Sequence, residues 1–219
     1  MSNKTANGFT LNPKWGGIFG VDIATPLGRL AFVNLDKPTG QNGQTPKYGV
    51  AFLMPKGEGL HTKSYEEQKK HLVAMQEQAK LMIQDLWGAR AAEMVKKMKR
   101  GIFVDGDVAS STGKVYEGYP GNWVINPRNA EPNGHSRGWK ILNDGMSPEM
   151  FESGMICRLT VQPYLGVDGF SYSLRAIKLV HDDGVKFGGA PDPSGVIDNL
   201  DEAIQAVNAA GSDTDFAVL

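Results

Sequence analysis

The chain has 219 residues, 41% of them hydrophobic, with 27 glycines, 12 prolines and a formal net charge of −1. That length suits one medium domain, or one domain with an insertion and a tail. There is no apolar run long enough to cross a bilayer and no apolar signal region in MSNKTANGFT, and the single cysteine, Cys157, excludes an internal disulfide, so a cytoplasmic protein is expected.

The near-neutral charge hides a division. Bases number 23 and acids 24, yet no lysine or arginine follows Lys186, while Asp192, Asp198, Asp201, Glu202, Asp213 and Asp215 do. Residues 1–186 therefore hold 23 bases against 18 acids, a body of +5 followed by a tail of −6. Such asymmetry marks an interaction tail or, more blandly, an acidic end that aids solubility.

Residues 1–20 carry little pattern, and Trp15 to Gly20 reads as an ordered loop or edge strand. Leu27 to Leu35 and Lys47 to Met54 read as two strands of a hairpin, joined through the turn-rich segment Asp36 to Gly43 and stopped at Pro55. Helical periodicity governs Ser64 to Arg100. Ser64 and Glu67 have capping-box spacing, and Leu72, Met75, Ala79, Met82 and Leu86 form an apolar stripe expected in the core. Gly88 divides this region into two helices. Lys96, Lys97, Lys99 and Arg100 crowd its C-terminal end, where the helix dipole favours cations; a DNA contact is the competing reading.

Ile102 to Val104 opens a third strand that breaks at the turn Asp105-Gly106-Asp107. Tyr116 to Asn126 then packs Tyr116, Tyr119 and Trp123 among glycines before Arg128, Arg137, Trp139 and Lys140. Glycines admit a ligand close to backbone, rings offer stacking faces, and cations track phosphates. Trp123 could instead plug the core, the commoner fate of a lone tryptophan, whereas Tyr119 and Trp139 are expected to be exposed. Met155 to Val180 reads as two strands folded through the loop Leu165 to Gly169. In the first, Cys157, Leu159 and Val161 alternate with Arg158, Thr160 and Gln162, so one face is apolar and the other polar and basic. In the second, the alternation slips near Ala176 and Ile177, as at a bulge. Twisted strands with one greasy face and one basic, aromatic face suit a small barrel that binds a polyanion bearing flat rings. Beyond the glycine-rich exit Phe187 to Pro191, Val196 to Ala210 has weak helical periodicity and Gly211 to Leu219 reads as disordered.

The four histidines are scattered and the lone thiol, placed on an inward face, fits no zinc spacing; no metal and no cofactor are expected. Neither a P-loop nor a GxGxxG occurs. Asp105 and Asp107 beside a third carboxylate would make a metal-dependent nuclease, the one enzymatic alternative.

The succession VDGD (Val104 to Asp107), YEGYPGNWVINPRN (Tyr116 to Asn129), SGMICRLTVQPY (Ser153 to Tyr164) and GFSYSLRAIKLVHDDGVKFGG (Gly169 to Gly189) resembles a phage-encoded family of single-stranded DNA-binding proteins, long known only as a domain of unknown function. The resemblance spans Leu27 to Gly189. It implies a mainly β protein with a helical insertion: a five-stranded oligonucleotide-binding (OB) barrel over residues 1–189, elaborated by a helix or helix pair at 64–100. An acidic C-terminal segment, 190–219, partly disordered, would follow. The implied function is non-catalytic binding of single-stranded DNA in phage replication, recombination or repair, in the host cytoplasm. The tail would meet replication or recombination proteins and compete with DNA, through Asp213, Asp215 and Phe216.

Tyr116, Tyr119, Trp123, Trp139, Tyr164, Phe170 and Tyr172 are then the candidate stacking rings. Lys47, Lys114, Arg128, Arg137, Lys140, Arg158, Arg175 and Lys178 are the candidate phosphate contacts. The alternatives to the DNA-binding reading are the nuclease, a structural or assembly protein of a phage particle, and an RNA-binding OB protein. An open barrel also leaves strand edges with which a second copy can pair, so a homodimer fits.

Overall fold

Period-two alternation and turn chemistry place most elements where the side chains require. The computed structural model describes residues 3–40, 45–57, 65–108 and 113–187. In chain order these form β1 (Thr10–Asn12), β2 (Gly17–Phe19), β3 (Ile23–Thr39), β4 (Lys47–Pro55), α1 (Tyr65–Trp87), a 3₁₀ turn (Gly88–Arg90) and α2 (Ala91–Lys97). β5 (Val104–Asp105), β6 (Asn122–Ile125), β7 (Arg128–Asn129), β8 (Lys140–Ile141), a second 3₁₀ turn (Pro148–Met150), β9 (Ile156–Gly166) and β10 (Gly169–His181) complete them.

Among the described residues, hydrogen bonds close a ring through five strands. β3 pairs with β4 and β9, β4 with β7, β7 with β10, and β10 with β9. Only the β7–β10 step of that ring is parallel. A closed succession of this kind, with helices set outside it, is the architecture of an OB fold. β1, β2, β5, β6 and β8 extend the sheet beyond the ring.

The ring encloses the main core. Leu30, Phe52, Ile125, Cys157, Leu159, Val161, Leu174 and Ile177 are all buried in one cluster. In β9 the expected alternation holds, with Cys157, Leu159 and Val161 inside and Arg158, Thr160 and Gln162 only partly covered. Burial pushes the Cys157 thiol up to about 12, which leaves it protonated and inert. The slip expected near Ala176 is a register shift between Leu174 and Ala176 against β9, and a second follows between Leu179 and His181. The connection between these strands is shorter than expected. β9 runs to Gly166 and β10 starts at Gly169, leaving Val167 and Asp168 as a two-residue turn.

The insertion packs by its methionine stripe. Met75, Ala79 and Met82 are buried, and the last two join Phe9, Ile18, Leu165 and Phe170 where β9 turns into β10. Each fully buried side chain of that size contributes about 1.5–3 kcal/mol. Two glutamines pin the helix to the start of β3: Gln68 accepts the Leu27 N–H at 2.6 Å, and Gln78 donates to the Val21 carbonyl at 3.1 Å. Gly88, at φ +51°, opens the 3₁₀ turn that separates α1 from α2, as its position suggested.

Other expectations are revised. β3 begins at Ile23 rather than Leu27 and runs on to Thr39. Trp139, expected to be exposed, is fully buried in the main core. Lys140 beside it is exposed, because β8 lies along β10 and adjacent strand residues point to opposite faces. Residues 3–187 described here belong to one compact unit. Ser64 of the capping box, the helix expected at Val196 to Ala210 and the whole acidic tail lie outside the described residues.

Candidate nucleic-acid interface

Where the inward positions of β4 and β10 fill the core, their outward positions line a groove. Lys47, Gly49 and Ala51 of β4 alternate with Tyr48, Val50 and Phe52, and Ser171 and Ser173 alternate with Phe170, Tyr172 and Leu174. Two adjoining hollows of about 730 and 360 Å³ share Thr39, Lys47, Asn126 and Arg128, so they form one continuous trough. Its larger end is bordered by Arg100, Ile102, Val124, Ser171 and Ser173. Its smaller end is bordered by Phe32, Asn34, Ala51, Tyr116 and Tyr119.

Backbone geometry sets the two central cations. Gly49 lies opposite Arg128 in the β4–β7 pairing, and a Cβ there would meet the Pro127 carbonyl at 2.6 Å and the Arg128 Cγ at 2.8 Å. A side chain at Gly49 would push β7 away and displace the guanidinium. Among the described residues neither Lys47 nor Arg128 has a carboxylate partner. Arg100 reaches the trough by a different route. α2 stops at Lys97, and Arg100 is bridged to the β9–β10 turn through its N–H on the Asp168 carbonyl (3.0 Å) and its carbonyl on the Phe170 N–H (3.1 Å). Its backbone thus serves a sheet edge, not a helix end.

The rings at the small end form a group. Phe32 meets Tyr116 at 5.2 Å and 85°, and Tyr119 at 6.2 Å and 80°; Tyr116 and Tyr119 lie 5.3 Å apart. Lys114 stands 5.4 Å from the Tyr116 ring centre. Burial, aided by the neighbouring Tyr116, pushes the Tyr119 phenol up to about 12, so it stays a neutral hydrogen-bonding group. Tyr119 and Phe187 also cover a small apolar patch, Ala31, Ala51, Leu53 and Val124, on the outer side of the sheet.

Of the candidate residues, then, the fold gathers Lys47, Lys114, Tyr116, Tyr119 and Arg128 around the trough. Phe170 and Tyr172 border it, but Phe170 is buried and the Tyr172 hydroxyl donates to the Ile102 carbonyl at 2.8 Å, its acidity strongly suppressed by burial. Others go elsewhere. Trp139 is in the core. Tyr164 packs on Phe19 at 4.9 Å beside the β1–β2 turn. Arg137 pairs with Glu131 at 3.0 Å and Arg175 with Asp22 at 3.4 Å. Arg158 is half-buried, its Nε and Nη2 without hydrogen-bond partners among the described residues, and its charge adds to the burial that lowers the His71 pKa. Lys140 and Lys178 are exposed but do not border the trough.

Trp123 and the two aspartates form a closed cluster of their own. Lys56 binds Asp105, binds Asp107 at 2.6 Å, and sits 4.5 Å over the Trp123 ring. Asp105 also accepts the Asp107 N–H at 2.9 Å, making the expected turn, and Asp107 accepts the Gly121 N–H at 2.6 Å. The Lys56 hydrogen bonds hold both carboxyls below the usual carboxylate range, and those to Asp105 and Asp107 raise Lys56 in return. Among the described residues no third carboxylate, histidine or thiol joins them as metal ligand; the lysine occupies the place such a nuclease would give a cation.

Sequence reasoning missed Phe32, Asn34 and Asn126, and weighed Arg100 as a helix-end cation with a DNA contact only as the competing reading. A signal for the first existed: the apolar Leu30 and Leu35 stand at an odd separation, yet both fill the same main core, which a regular strand allows only if one residue is extra.

A five-strand ring crossed by a trough whose central cations have no carboxylate partner among the described residues, with rings at one end, is the anatomy of an oligonucleotide-binding protein. Comparison with known proteins narrows this. A profile of the family described as Enterobacter phage Enc34, ssDNA-binding protein, matches residues 21–207, and the chain belongs to that family. Among solved structures, the single-stranded DNA-binding protein from bacteriophage Enc34 in complex with ssDNA superposes with a TM-score of 0.53 at 22% identity, covering 81% of this chain and 97% of that one. The same phage protein without DNA in its description matches with a TM-score of 0.47 at 21% identity, over 85% of this chain and 97% of that one. No curated protein matches. No helix among the described residues is long and apolar enough to cross a membrane.

Proposed function

We propose that the protein binds single-stranded DNA non-catalytically, with little preference among bases, by laying the strand along the trough. The observation that carries this reading is the pair Lys47 and Arg128, which lie on the same hollow surface as Tyr116 and Tyr119 and without carboxylate partners among the described residues. Cations of this kind release counterions when they neutralise phosphates, and every base has a π-face for a ring to meet. Family membership supports the same ligand. In this proposal residues 1–189 hold DNA, in phage replication, recombination or repair within the host cytoplasm.

The test is fluorescence anisotropy of a labelled oligo-dT at rising salt. Affinity should fall linearly on a log–log plot, with about 0.7 of slope for each phosphate neutralised. Absence of binding even at low salt ends the reading.

The tail, 190–219, belongs to the proposal as a tethered competitor. Six acids and no bases follow Lys186, so the tail carries the anionic charge such a competitor needs. Removing Gly211 to Leu219 should tighten oligo-dT binding at low salt, because a tethered anion competes at high effective concentration. Equal affinities for the full and shortened chains would refute competition.

A further inference from the structure

A single residue with a side chain departs from ordinary backbone among those described: Phe32, at φ +47°. It lies where β3 carries an extra residue. Ala31 pairs with Ala51 and Asn34 with Gly49, so Phe32 and Val33 together oppose Val50. The first position of such a bulge takes the left-handed conformation, for which glycine is suited and a bulky residue is not. Asn34 fixes the distortion by donating from Nδ2 to the Phe32 carbonyl at 2.9 Å.

Burial does not explain a phenylalanine there. The residue is 50% exposed, whereas the neighbours Leu30, Ala31 and Leu35 are almost wholly covered. Nor is the ring sandwiched by its aromatic neighbours, since Tyr116 and Tyr119 both meet it nearly at right angles. The bulge instead sets Phe32 in the wall of the 360 Å³ hollow, alongside Asn34, Asn126 and Arg128. Bulges re-aim side chains at functional sites, and an outlier that the core does not need points to a ligand.

We propose that Phe32 is the principal base-stacking residue of this trough, held in a strained backbone so that its ring meets one nucleobase of the bound strand. The amides lie where a base edge would come, and Arg128 where its phosphate would. This inference rests on the single-stranded DNA reading and adds to it a subsite and the residue that makes it.

The test separates ring from backbone. Phe32→Gly removes the ring and the strain together; Phe32→Ala removes the ring and keeps the strain; Phe32→Trp keeps a stacking face. Affinity is measured for oligo-dT and for a base-free (abasic) oligonucleotide of equal length, and each variant is melted. Both ring-deleting variants should lose at least about fivefold in oligo-dT affinity, the lower end expected for one stacked base, and bind the abasic strand as the wild type does. Phe32→Trp should keep oligo-dT affinity, and Phe32→Gly should melt higher than Phe32→Ala. Wild-type affinity for oligo-dT in Phe32→Gly overturns the proposal while leaving the DNA-binding reading intact. Equal losses on both strands also overturn it, since the ring would then be acting on the fold and not on a base. A wild-type protein that ignores oligo-dT would remove both.

Discussion

Two clusters in this molecule contain the same ingredients, a cation beside aromatic rings, and end in opposite states. At the trough, Lys47 and Arg128 lie near Tyr116, Tyr119 and Phe32 with no carboxylate partner among the described residues. In the second cluster, Lys56 covers Trp123 and is itself bound by Asp105 and Asp107, while Phe103 stands 6.1 Å from the same Trp123 ring. The first presents charge and ring to solvent. The second satisfies its charge internally and ties β4 to the turn after β5. Composition does not distinguish them; the presence of two acids within reach of one ammonium does.

That contrast can be broken most readily by charge removal. Replacing Lys47 and Arg128 together with alanine should weaken oligo-dT binding by more than about tenfold at low salt and lower the salt slope by about 1.4, as for two lost phosphate contacts on a single strand. The slope, measured by anisotropy, is the decisive quantity. An unchanged slope would mean that the strand runs elsewhere.

Replacing Lys56 with methionine should instead act on stability. It leaves Asp105 and Asp107 facing each other without their shared cation, so the melting temperature should fall while oligo-dT affinity stays within about twofold of the wild type, as expected for a residue outside the stacking and phosphate contacts. The pH dependence has a definite sign. Both carboxyls titrate lower in the folded protein than their ordinary value, so their contribution is present above that ordinary value and fades as pH falls through the lowered one. Lys56 is raised, so its share is complete below its ordinary value and fades only as pH climbs through the raised one. The difference in melting temperature between wild type and variant should therefore be widest near neutrality and shrink below about pH 4, the ordinary carboxylate range. A constant difference across that range would show that Lys56 acts through packing alone.

The smallest effect is expected at Trp123. With the ring already under Lys56, Trp123→Phe should leave DNA affinity unchanged, in contrast to Phe32→Gly. A loss as large as that of a trough ring would erase the distinction between the two clusters.

Much of the scaffold was legible because local rules act on it strongly. The alternation in β9, the slip in β10, the methionine stripe of α1 and the break at Gly88 follow from periods of 2 and 3.6 and from glycine's freedom. The site was legible only in part. Tyr116, Tyr119, Lys47 and Arg128 stood out as rings and cations near glycines, but so did Trp139, which lies just before β8 and is buried in the core, and Arg137 and Arg175, which acids neutralise. Arg100 looked like a helix-end cation until the chain carried it three residues past α2 to the β9–β10 turn.

The amino-acid sequence by itself determined the class of fold, the family and the separation of a basic body from an acidic end, because periodicity, motif order and charge are properties of one chain read along its length. Only the tertiary structure decided which rings and cations are available. Availability depends on what the rest of the chain brings within a few ångströms: Asp105 and Asp107 to Lys56 from about fifty residues away, Pro127 to Gly49 from the start of the neighbouring strand β7, and an extra residue in β3 that turns Phe32 outward.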